Sequence, residues 1–270
     1  MSSYRTIVKG SFFAILCVLI ELASCLSLSA QDNRFVVVES GRHGYINQEG
    51  MLVIPTTLQG TYVLHFSEGL VGFSERVKPE PAKIPYVDKD GKLRLFPQEK
   101  WGFIDTSGAV VIRARFDAVA EFSQGLAAVA TDTDRTSHSC MDCDLNQHWG
   151  FIDKSGKEVI PLQYHAVSSF SEGLAAVSHC GYVNTSGVVA IPPAFSYCGD
   201  FSEDLADVLN SGKWRYIDKQ GKVVLEVPYE GVRSFKNGLA AVEEGLSGPD
   251  QKFGYIDKHG KQVWKPKPAL

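Results

Sequence analysis

Six times along the 270-residue chain the same short pattern returns, an aromatic or substitute residue, glycine, aromatic, aliphatic, then Asp or Asn. The copies are His43-Gly44-Tyr45-Ile46-Asn47, Trp101-Gly102-Phe103-Ile104-Asp105, Trp149-Gly150-Phe151-Ile152-Asp153, Cys180-Gly181-Tyr182-Val183-Asn184, Trp214-Arg215-Tyr216-Ile217-Asp218 and Phe253-Gly254-Tyr255-Ile256-Asp257. Ile84-Pro85-Tyr86-Val87-Asp88 is a seventh, weaker copy. In all seven a glycine follows the Asp or Asn by three positions: Gly50, Gly91, Gly108, Gly156, Gly187, Gly221 and Gly260. A second half, Phe-x-x-Gly-Leu, recurs at Phe66, Phe122, Phe170 and Phe235, and at Phe201 with Asp204 for the glycine. From Trp101 to Phe122, Trp149 to Phe170, Cys180 to Phe201 and Trp214 to Phe235 the separation is always 21 positions. A fixed internal length between variable connections marks a structural module, stacked on neighbours that complete its core.

The chemistry of each half explains its residues. The aromatic-glycine segment alternates as a half-buried strand does and then enters a tight turn. Asp or Asn can cap that turn with its side chain, and glycine supplies the left-handed conformation there. A returning strand such as Lys157 to Pro161 completes a β-hairpin, with Pro161 predicted to end it. The second half reads as strand, glycine turn, strand. Gly102 and its equivalents lie inside a strand, where glycine marks close approach by a neighbouring backbone or ring. No helical 3.6-residue period survives beyond the N-terminus, so the predicted class is all-β.

Taken together, the positions "WGFID.SG..VI......A...FS.GLA.V" resemble the bacterial WG-repeat family, named for its Trp-Gly pair, from about Phe35 to Pro266. The resemblance implies an exported or envelope-associated repeat protein acting as a binding scaffold, with no shared catalytic residues. Arg215 for glycine, Cys180 and His43 for Trp, and a truncated last unit depart from the pattern. The expected architecture is a tandem array of antiparallel hairpin repeats, open and curved like a solenoid, with a closed propeller-like ring as the alternative. Phe35 to Val38 looks like a stray strand of the second half, and the last copy stops after Val263-Trp264, so the end units are incomplete in complementary ways.

Residues 1–30 read as an export signal: Arg5 and Lys9 precede the apolar run Ser11 to Ile20, too short to cross a bilayer as a helix. Two cleavage readings compete. Leu22 to Cys25 resembles a lipobox, which would make Cys25 a lipidated N-terminus, whereas ordinary cleavage would follow Ala30. On this reading membrane contact comes only through the signal or the lipid anchor. With net charge −4 and no basic stretch, nucleic acid is not an expected partner.

Function is sought where the modules are interrupted, at 74–100 and 131–148, because variable loops on a rigid scaffold carry recognition. The second insertion holds His138, Cys140, Cys143 and His148, a candidate metal set, though a local Cys140–Cys143 disulfide is the reading preferred in an exported chain. Cys180 and Cys198 sit at positions expected to face the core, 18 residues apart, and are predicted to form a disulfide worth roughly 3 kcal/mol by chain entropy. Trp101, Trp149, Trp214, Tyr45, Tyr182 and Tyr255 could form stacking ledges, but aromatics recurring once per module are read as core. Asp88 to Gly91 lacks the further ligands of a calcium loop. No nucleophile elbow, phosphate loop or metalloprotease motif occurs, and His65, His165 and His179 have no identifiable catalytic partner. The expectation is a non-enzymatic chain without cofactor, binding a protein or envelope polymer; the alternative is a metal- or redox-dependent protein built on the 131–148 loop.

Overall fold

The computed structural model describes residues 34–58, 64–76, 85–87, 93–95, 99–132, 147–245 and 252–265. Export signal, Cys25, His138, Cys140 and Cys143 lie outside the described residues. Every regular element among the described residues is a β-strand, and every pairing between strands is antiparallel. Six small sheets follow one another along the chain.

The first sheet pairs Phe35–Glu39, Arg42–Ile46 and Leu52–Leu58. The second pairs Leu70–Arg76, Glu99–Asp105 and Val110–Phe116. The third adds a short outer strand, Ala118–Val119, to Leu126–Asp132, Gln147–Asp153 and Glu158–Tyr164. The fourth contains Leu174–Val177, Gly181–Asn184 and Val189–Ile191. Tyr197–Cys198, Ala206–Asn210, Lys213–Ile217 and Val223–Val227 form the fifth, and Gly231–Val232, Leu239–Glu244, Lys252–Asp257 and Gln262–Trp264 the sixth. The weak seventh copy makes no sheet of this kind. Pro85–Val87 and Leu93–Leu95 form a separate two-stranded hairpin, while the strands on either side of it, Leu70–Arg76 and Glu99–Asp105, pair directly.

Sheet and sequence repeat are out of phase. The Leu126–Asp132 strand, from the second half of one sequence repeat, pairs with Gln147–Asp153, the aromatic strand of the next. Each sequence repeat therefore starts in one sheet and finishes in the following one. The link is an aromatic pair: Phe103 meets Phe122 with ring centroids 4.9 Å apart, Phe151 meets Phe170 at 4.7 Å, Tyr182 meets Phe201 at 5.0 Å, and Tyr216 meets Phe235 at 4.7 Å. The constant spacing in sequence is the path length from one sheet to its neighbour. Each seam closes over its own apolar cluster, such as Phe103, Phe122, Val129 and Ile152 between the second and third sheets.

Local chemistry explains each sheet. In the hairpin turn, Gly156 donates its N–H to the Asp153 carbonyl at 2.9 Å, and Asp153 Oδ1 accepts from the N–H groups of Ser155 and Lys157. Gly156 has φ +84°, and a Cβ there would lie 3.2 Å from Ile112 of the preceding sheet. The glycine of the aromatic pair answers a different constraint. A Cβ on Gly150 would lie 2.5 Å from the Ile160 carbonyl oxygen, because the pairing shifts register between Trp149 and Phe151 and the partner strand bulges inward. Pro161 sits in that bulge, so the strand runs on to Tyr164 instead of ending at the proline as the sequence suggests. Where Arg215 replaces the glycine, pairing stays in register from Trp214–Val227 to Tyr216–Leu225, and Arg215 meets Glu226 at 2.9 Å.

The array is open. Tyr255 is 43% exposed and Trp264 52% exposed in the last sheet, while Tyr45, Tyr182 and Tyr216 at the repeat position of Tyr255 are fully buried. Phe35 in the first sheet is 52% exposed. Among the described residues no Phe ring covers Tyr255, which instead contacts Trp264 edge-on at 6.2 Å.

Two glycine substitutions separate these roles. Gly150→Ala forces the bulged backbone apart and is expected to cost roughly 3 kcal/mol. Gly125→Ala, at φ +83° with open space around it, should cost only the left-handed penalty of about 1 kcal/mol. Urea unfolding of both variants checks this; equal losses would contradict it.

Candidate functional site

The seams between sheets carry most of the polar structure. In each Phe-x-x-Gly-Leu half, the second residue after Phe and the one following it form a two-residue turn with both φ values positive, as at Glu172 (51°) and Gly173 (89°). Ser171 and Leu174 flank that turn and exchange both backbone hydrogen bonds, which is a tight β-hairpin of the primed kind. The serine hydroxyl then donates to the carbonyl of the next Phe: Ser67 to Phe122 at 2.6 Å, Ser123 to Phe170 at 2.7 Å, Ser171 to Phe201 at 2.6 Å and Ser202 to Phe235 at 2.7 Å. Among the described residues no sheet follows the sixth, and its position there is Lys236.

A second thread runs beside the first. Glu68 accepts from the Gly125 N–H at 3.0 Å, Gln124 from Gly173 at 2.8 Å, Glu172 from Glu203 and Asp204, and Glu203 from Gly238. Turn lysines close it: Lys154 meets Glu68, Lys219 meets Glu172 and Lys258 meets Glu203, each at 3.1 Å. Asp204 takes the glycine position at φ 70° and pairs with Lys219 at 2.7 Å.

The recurrent aromatics are spent in the seams. Tyr45 and Tyr182 are fully buried, and Trp101, Trp149 and Trp214 are half-buried, each against a different seam cluster. Burial raises the Tyr45, Tyr182 and Tyr216 hydroxyl pKa values, and each hydroxyl donates to a backbone carbonyl, as Tyr182 does to Gly199 at 2.7 Å. None of these rings is a free ledge except Tyr255 at the open end.

Cys180 and Cys198 are joined in a disulfide with Cα atoms 5.4 Å apart. Cys198 packs against the seam of the fourth and fifth sheets, as expected. Cys180 departs from expectation. It lies before its strand, in the short connection from Val177 to Gly181, with His179 at φ 61° and Cys180 at φ 56°. That connection is too short for Cys180 to stand in the strand as Trp149 does, so the disulfide ties down a turn and fills no Trp pocket.

His148 is the one member of the predicted metal set among the described residues. It lies in the Gln147–Asp153 strand with its ring 5.8 Å from that of His165. Among the described residues no cluster of three or more His, Cys, Asp or Glu side chains could hold a metal ion.

Two features are invisible to repeat reasoning. Asp207 is 3% exposed at a position held by alanine in other copies (Ala128, Ala176, Ala241). Desolvation pushes its carboxyl pKa up, while a 2.8 Å hydrogen bond from Ser234 works the other way. Gly199 makes room for it, since a Cβ there would lie 2.5 Å from Asp207 Oδ1. The second feature is a cleft of about 600 Å³ between the first and second sheets, with Leu58, Phe73 and Ala114 as apolar walls and Ser74, Glu75 and Arg113 as polar ones.

Ser171→Ala should cost about 1 kcal/mol by removing one seam hydrogen bond. Lys236→Ser should leave stability unchanged, because among the described residues no Phe carbonyl of a following sheet lies against it; thermal and urea unfolding report both. Asp207 has a raised pKa in the folded state, so its stabilising form is the neutral one, and stability is lost as pH rises through the folded value. Asp207→Ala is therefore expected to be more stable than the parent at neutral pH. The gap should narrow as pH falls toward the ordinary carboxylate range, and a gap that widens on acidification would contradict the assignment.

The model of the WG containing repeat matches residues 101–132, 149–179, 181–214 and 214–245. None of the curated proteins compared matches the chain. Among solved structures, similarity extends to apo AztD from Citrobacter koseri, at 14% identity over 85% of this chain and 69% of that one, with a TM-score of 0.42. A structure described as the eukaryotic initiation factor gives 12% identity over 89% and 75%, with a TM-score of 0.44. Likeness this distant fixes neither ligand nor closure of the array. The four matched repeats, whose recurrent residues build the seams described above, place this chain in the WG-repeat family.

Proposed function

We propose that the protein is an exported, non-enzymatic β-repeat scaffold that binds a protein or cell-envelope polymer through the connections between its sheet-building halves. One observation carries this reading: the recurrent residues are consumed by seams, turns and bulges, while the connections that enter each aromatic strand vary. Those connections follow Arg76, Asp132, Val177, Asn210 and Glu244, in each case at the same end of an antiparallel pair. They range from the short Ser211–Gly212 turn to the long segments between Asp132 and Gln147 and between Arg76 and Glu99. A rigid core with variable loops at one end suits recognition. Export is supported by the signal-like residues 1–30 and by a disulfide of a kind that persists in oxidising compartments. Among the described residues no helix is long and apolar enough to cross a membrane.

A second reading, a metal- or redox-dependent protein using His138, Cys140, Cys143 and His148, has one observation in its favour: the His165 ring beside His148 at the base of the loop. Metal analysis and a thiol count on protein from an oxidising compartment separate the two. Two metal-protected thiols with stoichiometric zinc would favour this second reading.

Replacing residues 133–146 by Asn-Gly tests the primary reading, since Asp132 and Gln147 are the last paired residues and a two-residue turn can join them. The variant should keep its unfolding midpoint while losing the species that the parent cross-links in an envelope fraction. Retention of every cross-linked species would count against the loop as the recognition element.

A further inference from the structure

At the seam between the first and second sheets, where the cleft lies, three residues are smaller than their counterparts at the next seam. At the next seam, Trp101, Phe116, Val129 and Leu162 pack into one cluster. Pairing registers place His43 at the position of Trp101, and Leu58, its ladder partner, at that of Phe116. Ala114 corresponds in the same way to Leu162, and Phe73 to Val129, since each faces the seam glycine of its own sheet. Trp to His, Phe to Leu and Leu to Ala remove more side chain than Val to Phe restores. The cleft there measures about 600 Å³, within the range of roughly 300–1,000 Å³ typical of small-molecule sites.

Its polar equipment is also particular to this seam. Ser74 stands where the third sheet has Ala130, as the pairings Ser74–Trp101 and Ala130–Trp149 show. Arg113 and Glu75 both line the cleft, both are exposed, and neither side chain has a hydrogen-bond or ion-pair partner among the described residues. His43 Nδ1, opposite Leu58 in the ladder, is a buried atom with no partner among the described residues. An apolar space walled by Leu58, Phe73 and Ala114, bordered by one unpaired cation and one unpaired carboxylate, is complementary to a ring that carries both charges.

We propose that this cleft binds a free aromatic amino acid, with its ring against Leu58, Phe73 and Ala114, its carboxylate at Arg113 and its ammonium at Glu75. The site goes beyond the scaffold reading and does not depend on it, because it uses none of the inter-sheet connections assigned to partner binding. Binding is non-covalent. Arg113 selects the anionic end, Glu75 discriminates against acids that lack the amine, and the seam walls select a flat ring over an aliphatic chain.

Isothermal titration of the full chain with L-tryptophan tests the site, with indole-3-propionate and tryptamine as single-charge probes. L-Tryptophan should bind, and each single-charge probe should bind about tenfold more weakly or worse. Arg113→Gln should weaken L-tryptophan by at least about tenfold while leaving the unfolding midpoint in place. Ala114→Leu restores the residue of the next seam and should abolish binding while raising the midpoint. Should that variant misfold, Leu58→Phe restores the counterpart of Phe116 from the opposite sheet and should also abolish binding. No measurable heat with L-tryptophan at millimolar concentration would overturn the proposal. So would affinity unchanged in Arg113→Gln, or unchanged in a folded cleft-filled variant.

Discussion

The structure depends on an aromatic contact between neighbouring sheets. In four hairpins the second aromatic is covered by a Phe that comes 19 residues later in the same sequence repeat, as Phe103 is by Phe122 and Phe151 by Phe170. Because that Phe lies on the chain entering the following sheet, each of these seams is closed by residues of two sheets. Edge-to-face aromatic pairs contribute about 0.5–1.5 kcal/mol beyond the area they bury. Here each also fixes the distance over which the chain crosses from sheet to sheet. The serine hydroxyls and the Glu–Lys pairs then reinforce a junction already set by the rings.

Departures from the repeat mark places where this arrangement is altered. Arg215, in the glycine position, removes a bulge and puts a charged group on Glu226. Cys180, in the Trp position, is drawn into a left-handed turn and tied to Cys198. Asp207 brings a carboxyl into a seam where alanine is usual, and Gly199 yields the space. His43 leaves the first seam short of an indole, beside the cleft described above. The regular positions, by contrast, are used in holding sheets together.

Much of the fold was legible in the sequence because its determinants are local. An Asx-type turn needs its Asp and glycine within four residues, and Asp153 and Gly156 take those roles. Backbone approach at Gly102 and Gly150 also followed from glycine inside a strand. The pairing of Cys180 with Cys198 could be read from module positions, but the turn that displaces Cys180 could not, because it depends on how short the preceding connection is. Pro161 misled, since a proline can sit in a bulge as readily as at a strand end. The serine after Phe at 67, 123, 171 and 202 recurs in the sequence, but nothing local reveals what it bonds. Its partner, a carbonyl one repeat away, is fixed only by stacking. Asp207 and the first-seam cleft were hidden for the same reason: both arise from side chains of different sheets.

The central claim is that each sequence repeat spans two sheets, joined through its own aromatic pair. A double-mutant cycle on Phe151→Leu and Phe170→Leu, measured by urea unfolding, tests it most directly. The account predicts a coupling of about 1 kcal/mol for this pair, and none within error for Phe151→Leu with Phe122→Leu, whose rings lie in separate seams. Equal coupling in both cycles, or coupling only between Phe151 and Phe122, would contradict it.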